Sequence, residues 1–438
     1  MSLIVQARTV GRIGAMTTRA EGLRTVSTWA LPIVAFASST ALALTVFGGY
    51  NAFTARDSHP EAGMYQILAA IASILIIIPC FTLGLAAARL GARRRDMRLA
   101  ALRLTGATPA QVVALSSVEA AVQGFIGAVI GTGVYVLCLP LVAQLPFQGN
   151  SFAISELWVG APIVIVTAMG VVLLAVVSAL VGLRSLAISP LGVAQRHAPP
   201  TPKWAFAAGA VVVVAVWSQI NPAAIGIGGM LAGLVIVFLL VNLIGPFAVA
   251  VVGRLLVARA HNAESLIAAR RILDDPKQVW RSVGGVTVAS FVAAGTALLT
   301  ALGTGSDDPS QVQLMTDMRL GVAFTLAVTF GLAAISAVLT QIASILDNRE
   351  LYRNLSLAGT PFGVMNAARI RQVRTPVAVM SLVGAGFALG FLFPVTGMVL
   401  LTSPLALLQL AALIALGCGL VITAVYASKP VLRSVMKT

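Results

Sequence analysis

The chain is dominated by long apolar runs that are bounded by charged residues, proline or glycine. A helix needs about 20 apolar residues to cross a bilayer, because the hydrocarbon core is about 30 Å thick. With 58% hydrophobic and 10% charged residues, the 438-residue chain is excluded from the class of water-soluble enzymes. The sequence therefore predicts an all-α polytopic membrane protein with about ten transmembrane helices. They lie near residues 26–49, 64–89, 113–142, 158–183, 204–219, 224–250, 284–303, 318–345, 375–400 and 405–427.

The positions of Lys and Arg predict the orientation of these helices. With a cytoplasmic N-terminus, 27 of the 29 basic residues fall in inward-facing segments, and only Arg56 and Arg319 face outward. Both termini are therefore predicted to be cytoplasmic. The outer segments, at about 50–63, 143–157 and 304–317, are too short to fold as a large extracellular domain. The net charge of +15 is spread over short loops, so nucleic acid is not a predicted partner.

Two segments of the chain resemble each other. Residues 98–112 (RLAALRLTGATPAQV) and 351–364 (LYRNLSLAGTPFGV) share a Leu-x-Leu-x-Gly pattern, and Thr108-Pro109 corresponds to Thr360-Pro361 after a one-residue gap. Six predicted helices separate the copies, so both have the same orientation in the membrane. The predicted organisation is a cytoplasmic amphipathic helix (1–25), a first four-helix repeat (26–190), a linker with two transmembrane helices (191–260), a second interfacial helix (261–283) and a second four-helix repeat (284–438).

The chemistry of catalysis is missing from the sequence. None of the four lysines stands in the G-x-x-x-x-G-K-[ST] pattern that cradles phosphates, and there is no nucleophile elbow or HExxH motif. The three cysteines lie in apolar runs without paired spacing, and the three histidines lie in predicted loops, so no metal site is predicted. Glu119, in the third apolar run, is the one candidate for a polar group inside the membrane. It lies near the cytoplasmic end of that run, so a position at the interface, or a cap of local structure, is the alternative.

Residues 93–109 (RRRDMRLAALRLTGATP) combine a charged cluster with helix formers, then break at Gly106 and turn at Thr108-Pro109. This pattern predicts a short inward-facing helix with a stop signal, and the pattern recurs at 351–361. Anchoring at anionic headgroups explains the arginines equally well. Two similar short helices on the inward side would also suit docking to a partner with two-fold symmetry.

The N-terminal segment predicts a second element at the membrane interface. Arg8, Arg12 and Arg19 share one face of a helical wheel and Leu3, Val10 and Ile13 lie opposite, as in an in-plane amphipathic helix. The counterpart before the seventh run is SLIAARRILDDPKQVWRSV. Membrane lipid is therefore a predicted partner, and transmission of motion is the alternative role.

The segment 92–131 (ARRRDMRLAALRLTGATPAQVVALSSVEAAVQGFIGAVIG) resembles the FtsX-like permease family, the membrane subunits of MacB-, LolCDE- and BceAB-type ABC transporters. Residues 347–390 are a weaker copy that lacks the Glu-Ala pair. The resemblance implies a cytoplasmic ABC ATPase, in two copies per chain, which binds ATP and Mg²⁺ while this chain carries no cofactor. It also implies that ATP-driven closure of this ATPase pair is relayed through the membrane as helix movement. The membrane implied is the inner (plasma) membrane of a bacterium. The coupling residues implied are Arg93, Arg94, Arg95, Asp96, Arg98, Arg103, Gly106, Thr108, Pro109, Arg349, Glu350, Arg353, Gly359, Thr360 and Pro361.

The leading hypothesis is a permease subunit that extrudes or extracts an amphipathic or membrane-embedded substrate. One alternative is an ATPase-coupled regulator of an extracytoplasmic protein such as a cell-wall hydrolase. A further alternative is an ion-coupled secondary transporter, for which Glu119 would be essential.

Overall fold

The computed structural model describes residues 23–57, 61–87, 108–188, 204–219, 222–302, 308–396 and 403–437. Helices make up almost all of this part of the chain. The elements are α1 (Leu23–Ala55), α2 (Ala62–Ala87), α3 (Pro109–Ala143), β1 (Pro146–Phe147), β2 (Asn150–Ser151), α4 (Ile154–Leu157), α5 (Gly160–Ile188), α6 (Trp204–Trp217), α7 (Pro222–Ala258), α8 (Ala263–Asp274), α9 (Pro276–Leu302), α10 (Pro309–Asp347), α11 (Arg349–Leu357), α12 (Phe362–Thr396), α13 (Pro404–Tyr426) and α14 (Lys429–Lys437).

Within the described ranges, nine helical segments are long and apolar enough to cross a bilayer. The predicted all-α polytopic membrane protein is therefore confirmed. The run at 204–219 is not among these nine, since the described part of α6 has 14 residues, or about 21 Å of helix. In contrast, α10 has 39 residues and is about 58 Å long, which exceeds the hydrocarbon thickness of about 30 Å. The predicted span 318–345 is thus only the central part of a longer helix.

The chain divides into two compact units. The first comprises Met1–Leu44, Cys80–Cys138 and Val159–His197, and the second comprises Thr45–Pro79, Leu139–Trp158 and Ala198–Thr438. The boundaries predicted for the two four-helix repeats do not follow this division, because 45–79 and 139–158 belong to the second unit. The repeat boundaries stay a prediction.

In the first unit, glycines allow α3 to approach α1 closely. A Cβ atom added at Gly127 would lie 2.5 Å from Cβ of Phe36, and one added at Gly131 would lie 2.5 Å from the carbonyl oxygen of Ala37. Small residues let helix backbones pack tightly in a membrane, where lipid tails supply no hydrophobic driving force for helix association. These two glycines therefore set the α1–α3 distance.

In the second unit, α9 is the central helix and packs against α7, α10, α12 and α13. Its inward positions are small or β-branched, and Val283, Val286, Ala289 and Ala293 are all almost completely buried. Such side chains leave little space between helices, so the core is dense around α9. Before α9, the short helix α8 buries Ala268, Ala269 and Ile272 and keeps its charged face outward.

A two-residue hairpin lies in the second unit, within a segment for which the sequence predicted only a short loop. β1 and β2 pair antiparallel, with Phe147 opposite Asn150. The turn residues Gln148 and Gly149 have φ values of +57° and +78°. Positive φ at both central positions defines a type I′ turn, which matches the twist of the strands but strains a non-glycine residue such as Gln148.

Candidate functional site

The second copy of the repeated motif forms a short helix, α11, directly after α10. At its end the Gly359 N–H donates to the Ser356 carbonyl (3.0 Å) and the Thr360 N–H donates to the Leu355 carbonyl (2.9 Å). This pair of bonds is a Schellman motif, and Gly359 supplies the left-handed residue that the motif requires, with φ +84°. The break at Gly359 therefore stops α11 and redirects the chain into α12.

The two faces of α11 differ in character. Tyr352 points inward and is buried in a cluster with Ile345, Met365 and Leu432. The opposite face carries two leucines, Leu351 and Leu357, that are 46% and 78% exposed. We call this exposed face the α11 surface. It consists of Arg349, Glu350, Leu351, Arg353, Asn354 and Leu357.

The inward face of α11 is tied to α8 by an arginine. Arg271 donates a hydrogen bond from Nη1 to the Tyr352 hydroxyl. Its guanidinium carbon also lies 4.6 Å from the centre of the Tyr352 ring, as in a cation–π contact. Arg371 of α12 forms an ion pair with Glu264 of α8, with 3.1 Å between Nη1 and Oε2. These contacts join α8, α11 and α12 into one assembly.

Sequence reasoning missed Arg369, which is 1% exposed on α12. Its guanidinium donates to Ser428 Oγ, and from Nη2 to Asn366 Oδ1 at 3.2 Å. A buried arginine is costly unless its donors are paired. Its hydrogen bonds therefore stabilise the junction of α12 with the segment that leads into α14. The only sequence signal for this buried arginine is the group of five basic residues between the eighth and ninth apolar runs, a segment that the predicted spans make an inward-facing loop.

In the first copy, most of the predicted coupling residues lie outside the described part of the chain. These are Arg93, Arg94, Arg95, Asp96, Arg98, Arg103 and Gly106, and the same applies to the predicted interfacial residues Arg8, Arg12 and Arg19. Thr108 is described and caps α3. Its N–H donates to Gln111 Oε1 (2.9 Å), and the Gln111 N–H donates to Thr108 Oγ1 (3.3 Å). This reciprocal pair is a capping box, and it explains the T-P-A-Q sequence at the start of α3.

The helix bounds change the alignment of the two copies. α3 begins at Pro109 and α12 begins at Phe362, a spacing of 253 positions. At this spacing Gly106 corresponds to Gly359, and Thr108, whose carbonyl accepts the first helical hydrogen bond of α3, corresponds to Pro361. The copies therefore align without the one-residue gap that placed Thr108-Pro109 on Thr360-Pro361.

The same spacing relates Glu119 on α3 to Gln372 on α12. Both side chains are buried, with 7% and 8% exposure. The structure buries the Glu119 side chain inside the protein, and its position relative to the bilayer interface stays a prediction. Because the second copy carries an uncharged amide at this position, the paired sites do not both hold a carboxylate.

Asp317 corrects one sequence-based assignment. It was predicted to lie in an outer loop at 304–317, but it belongs to α10 and is 3% exposed. Oδ2 of Asp317 accepts a hydrogen bond from the Tyr65 hydroxyl (2.6 Å) and another from the backbone N–H of Gln148 (2.8 Å). The charged residue suggested a loop, whereas the fold satisfies it with two donors from distant segments. The second of these bonds also holds the strained hairpin turn.

The hairpin segment is anchored by a second polar residue, Arg56. It forms an ion pair with Glu156 (2.7 Å between Nη2 and Oε2) and donates to the carbonyls of Phe147 (3.2 Å) and Ser151 (3.0 Å). Its guanidinium also stacks 4.4 Å from the centre of the Phe152 ring. Arg56, which the sequence predicts to face outward, thus holds residues 146–151, which we call the β1–β2 segment.

These features define a multi-pass, all-α membrane protein. Comparison with known families adds that the FtsX-like permease C-terminal model matches residues 70–190, a little over a quarter of the chain. The match contains the whole segment 92–131, so the resemblance predicted from that segment is confirmed. No curated protein and no solved structure matches the chain.

The match to the FtsX-like permease C-terminal model supports a membrane permease component of an ABC-type transporter. Permeases of the FtsX-like family are transport subunits and not ATPases, and they generally pair with separate ABC ATPases.

Proposed function

We propose that this chain is a permease that couples ATP hydrolysis by a separate ATPase dimer to the extrusion or extraction of an amphipathic or membrane-embedded substrate. Two ATPase copies would dock on one chain, one at the α11 surface and one at the segment Arg93–Pro109. ATP and Mg²⁺ would be bound by that partner. The membrane would be the inner membrane of a bacterium, with both termini in the cytoplasm.

The observation that carries the proposal is the α11 surface. Leu357 is 78% exposed at the end of a short helix whose neighbouring positions are charged. An apolar side chain surrounded by charges is typical of a transient protein interface, in which a few apolar anchors are ringed by polar residues. Lipid is a less suitable contact for this face, because Glu350 and two arginines lie beside the leucines.

The contacts of α11 provide a route for mechanical coupling. Movement of α11 would pass through Tyr352 and Arg271 to α8, which continues through Asp275 into α9 at Pro276. It would also pass directly into α10 and α12, because α11 lies between them in sequence. α10 is one continuous helix that extends about 45 Å from Asp347 to Asp317, so a displacement at one end would be carried to the other.

The test is co-purification of the ATPase with tagged variants of the chain. We expect the double variant Leu351→Asp and Leu357→Asp to retain at least tenfold less ATPase, because two charges would replace the apolar anchors. The control is Leu266→Asp, which makes the same change at a leucine of α8 that is 43% exposed and lies outside the α11 surface. A chain that brings down no ATPase, or a double variant that retains all of it, would refute the docking proposal.

A double variant tests the helix break at Gly359 together with the one predicted at Gly106. Bulky substitutions at Gly106 and Gly359 should impair ATPase association or coupling while membrane insertion stays normal. At Gly359 the reason is conformational, since φ +84° is unfavourable for any other residue and space around it is open. Substrate-stimulated hydrolysis at the wild-type rate in the double variant would contradict this assignment.

An ion-coupled transporter is the second candidate, and the burial of Glu119 is the observation that favours it. This candidate predicts transport by the chain without an ATPase, and loss of transport in Glu119→Gln. The permease proposal predicts ATP-dependent activity that survives this isosteric change. Reconstituted vesicles with and without the ATPase and ATP separate the two functions. Regulation of an extracytoplasmic protein would instead require a partner on the β1–β2 segment.

A further inference from the structure

The second unit contains a cavity of about 320 Å³. Its walls come from α1, α2, α3, the β1–β2 segment, α4, α7, α9, α10 and α12. The lining is almost entirely apolar, as in Leu68, Ile71, Phe291 and Phe324. Apolar cavities of about 150 Å³ stay dry and bind small hydrocarbons such as benzene, and ligand sites begin at about 300 Å³. A cavity of this size and lining inside a membrane protein therefore favours a hydrocarbon occupant.

One charged group interrupts the apolar wall. Asp317 lines the cavity, and among the lining residues it is the only carboxylate, while no Lys, Arg or His lines the described walls. Within the described part of the chain, no basic side chain forms an ion pair with Asp317. Its two donors, the Tyr65 hydroxyl and the Gln148 N–H, are neutral. The carboxylate is thus hydrogen-bonded but not compensated in charge.

The missing charge indicates the kind of ligand. A buried carboxylate in an apolar environment is stabilised by a cation, and an anionic group placed beside it would be repelled. We propose that the cavity binds a cationic amphiphile, with the hydrocarbon chain in the apolar part and the ammonium group at Asp317. As a statement about the transported molecule, the proposal rests on the proposed function. As a statement about binding, it concerns this chain alone.

The glycines of the cavity wall allow a direct test. A Cβ atom added at Gly295 meets only Cγ1 of Val322, at 3.8 Å, and one added at Gly321 meets only Cε1 of Phe147, at 3.7 Å. Both distances are ordinary van der Waals contacts, so a Cβ atom fits at either position, and the rest of a leucine side chain is expected to extend into the cavity that both glycines line. Gly331 and Gly386 are the matched controls, since they lie on α10 and α12, have open space around them and do not line the cavity.

The experiment uses the purified full-length chain in phosphatidylcholine nanodiscs without ATPase. Two photoreactive probes of equal chain length, an alkylamine and a fatty acid, are compared, and labelled residues are mapped by mass spectrometry. Labelling is normalised to the exposed Leu137 on α3. We expect the amine to label cavity residues on α2 and α10 at least tenfold more than the acid. Gly295→Leu with Gly321→Leu should remove this labelling, and Gly331→Leu with Gly386→Leu should preserve it.

Asp317→Asn should bring the amine and acid probes to equal labelling, because it removes the charge and keeps the shape. Each other outcome overturns part of the proposal. Equal labelling by both probes in the unmodified chain refutes the preference for cations, and cavity labelling that survives the two leucines refutes the site. Since no ATPase is present, a negative result here leaves the co-purification test of the permease proposal intact.

Discussion

Replacing Gly131 with leucine is expected to destabilise the packing of α3 against α1 by about 3 kcal/mol or more. The reason is steric. A Cβ atom there would lie 2.5 Å from the carbonyl oxygen of Ala37 and 2.7 Å from Cβ of Thr40, and backbone atoms cannot rotate away as a flexible side chain can. The two helices would have to separate, which removes van der Waals contacts along the interface.

The measurement is the thermal unfolding midpoint of the purified protein in detergent, together with its yield in the folded fraction. Gly133→Leu is the matched control, because it lies on the same helix, is exposed and has no atom within 4 Å of an added Cβ. We expect the control to unfold near the wild-type temperature. Equal midpoints for Gly131→Leu and Gly133→Leu would show that the close approach of α1 and α3 does not limit stability.

The second large effect is expected at Tyr352. Truncation of Tyr352 to alanine should cost about 3–5 kcal/mol, since it empties a buried site between Ile345, Met365 and Leu432. α11 has only nine residues and is too short to be stable without tertiary contacts. Loss of its one fully inward side chain should therefore release the helix from α10 and α14.

Two readouts check this prediction. Amide hydrogen exchange in α11 should rise strongly in Tyr352→Ala, and ATPase-coupled activity should fall with it if the α11 surface is the docking element. Tyr352→Phe is the control, because it keeps the ring and loses only the hydrogen bond from Arg271, a change of about 1 kcal/mol. Unchanged exchange in Tyr352→Ala would mean that α11 is held by other contacts.

Much of the fold could be predicted from the sequence. Membrane spans can be recognised in the sequence because each helix must cross about 30 Å of hydrocarbon with apolar side chains. This requirement is local to each apolar run. The stop at Gly359 was also predictable, because a left-handed residue at a helix end favours glycine whatever surrounds it. Helix ends were less predictable, as the 39 residues of α10 show, since polar residues can continue a helix beyond the bilayer.

The candidate sites depended more strongly on tertiary contacts. Asp317 was assigned to a loop because charge is expensive inside a membrane, and only the fold brings it within hydrogen-bonding distance of Tyr65 and Gln148, which are distant in sequence. Likewise, the sequence predicts that Arg369 lies in a basic, inward-facing loop, whereas the structure buries it and gives it hydrogen-bond partners. Burial of a polar residue is determined by its partners, and local sequence does not contain them.

The sequence by itself determined the class of protein, the approximate positions of the spans and the presence of a doubled Leu-x-Leu-x-Gly element, because hydropathy and helix stop signals act over a few neighbouring residues. Only the tertiary structure decided that Leu351 and Leu357 face outward while Tyr352 is held by Arg271. It also decided that Asp317 lines an apolar cavity. These features arise where helices far apart in the chain meet, and the geometry of packing is set by all of their side chains together.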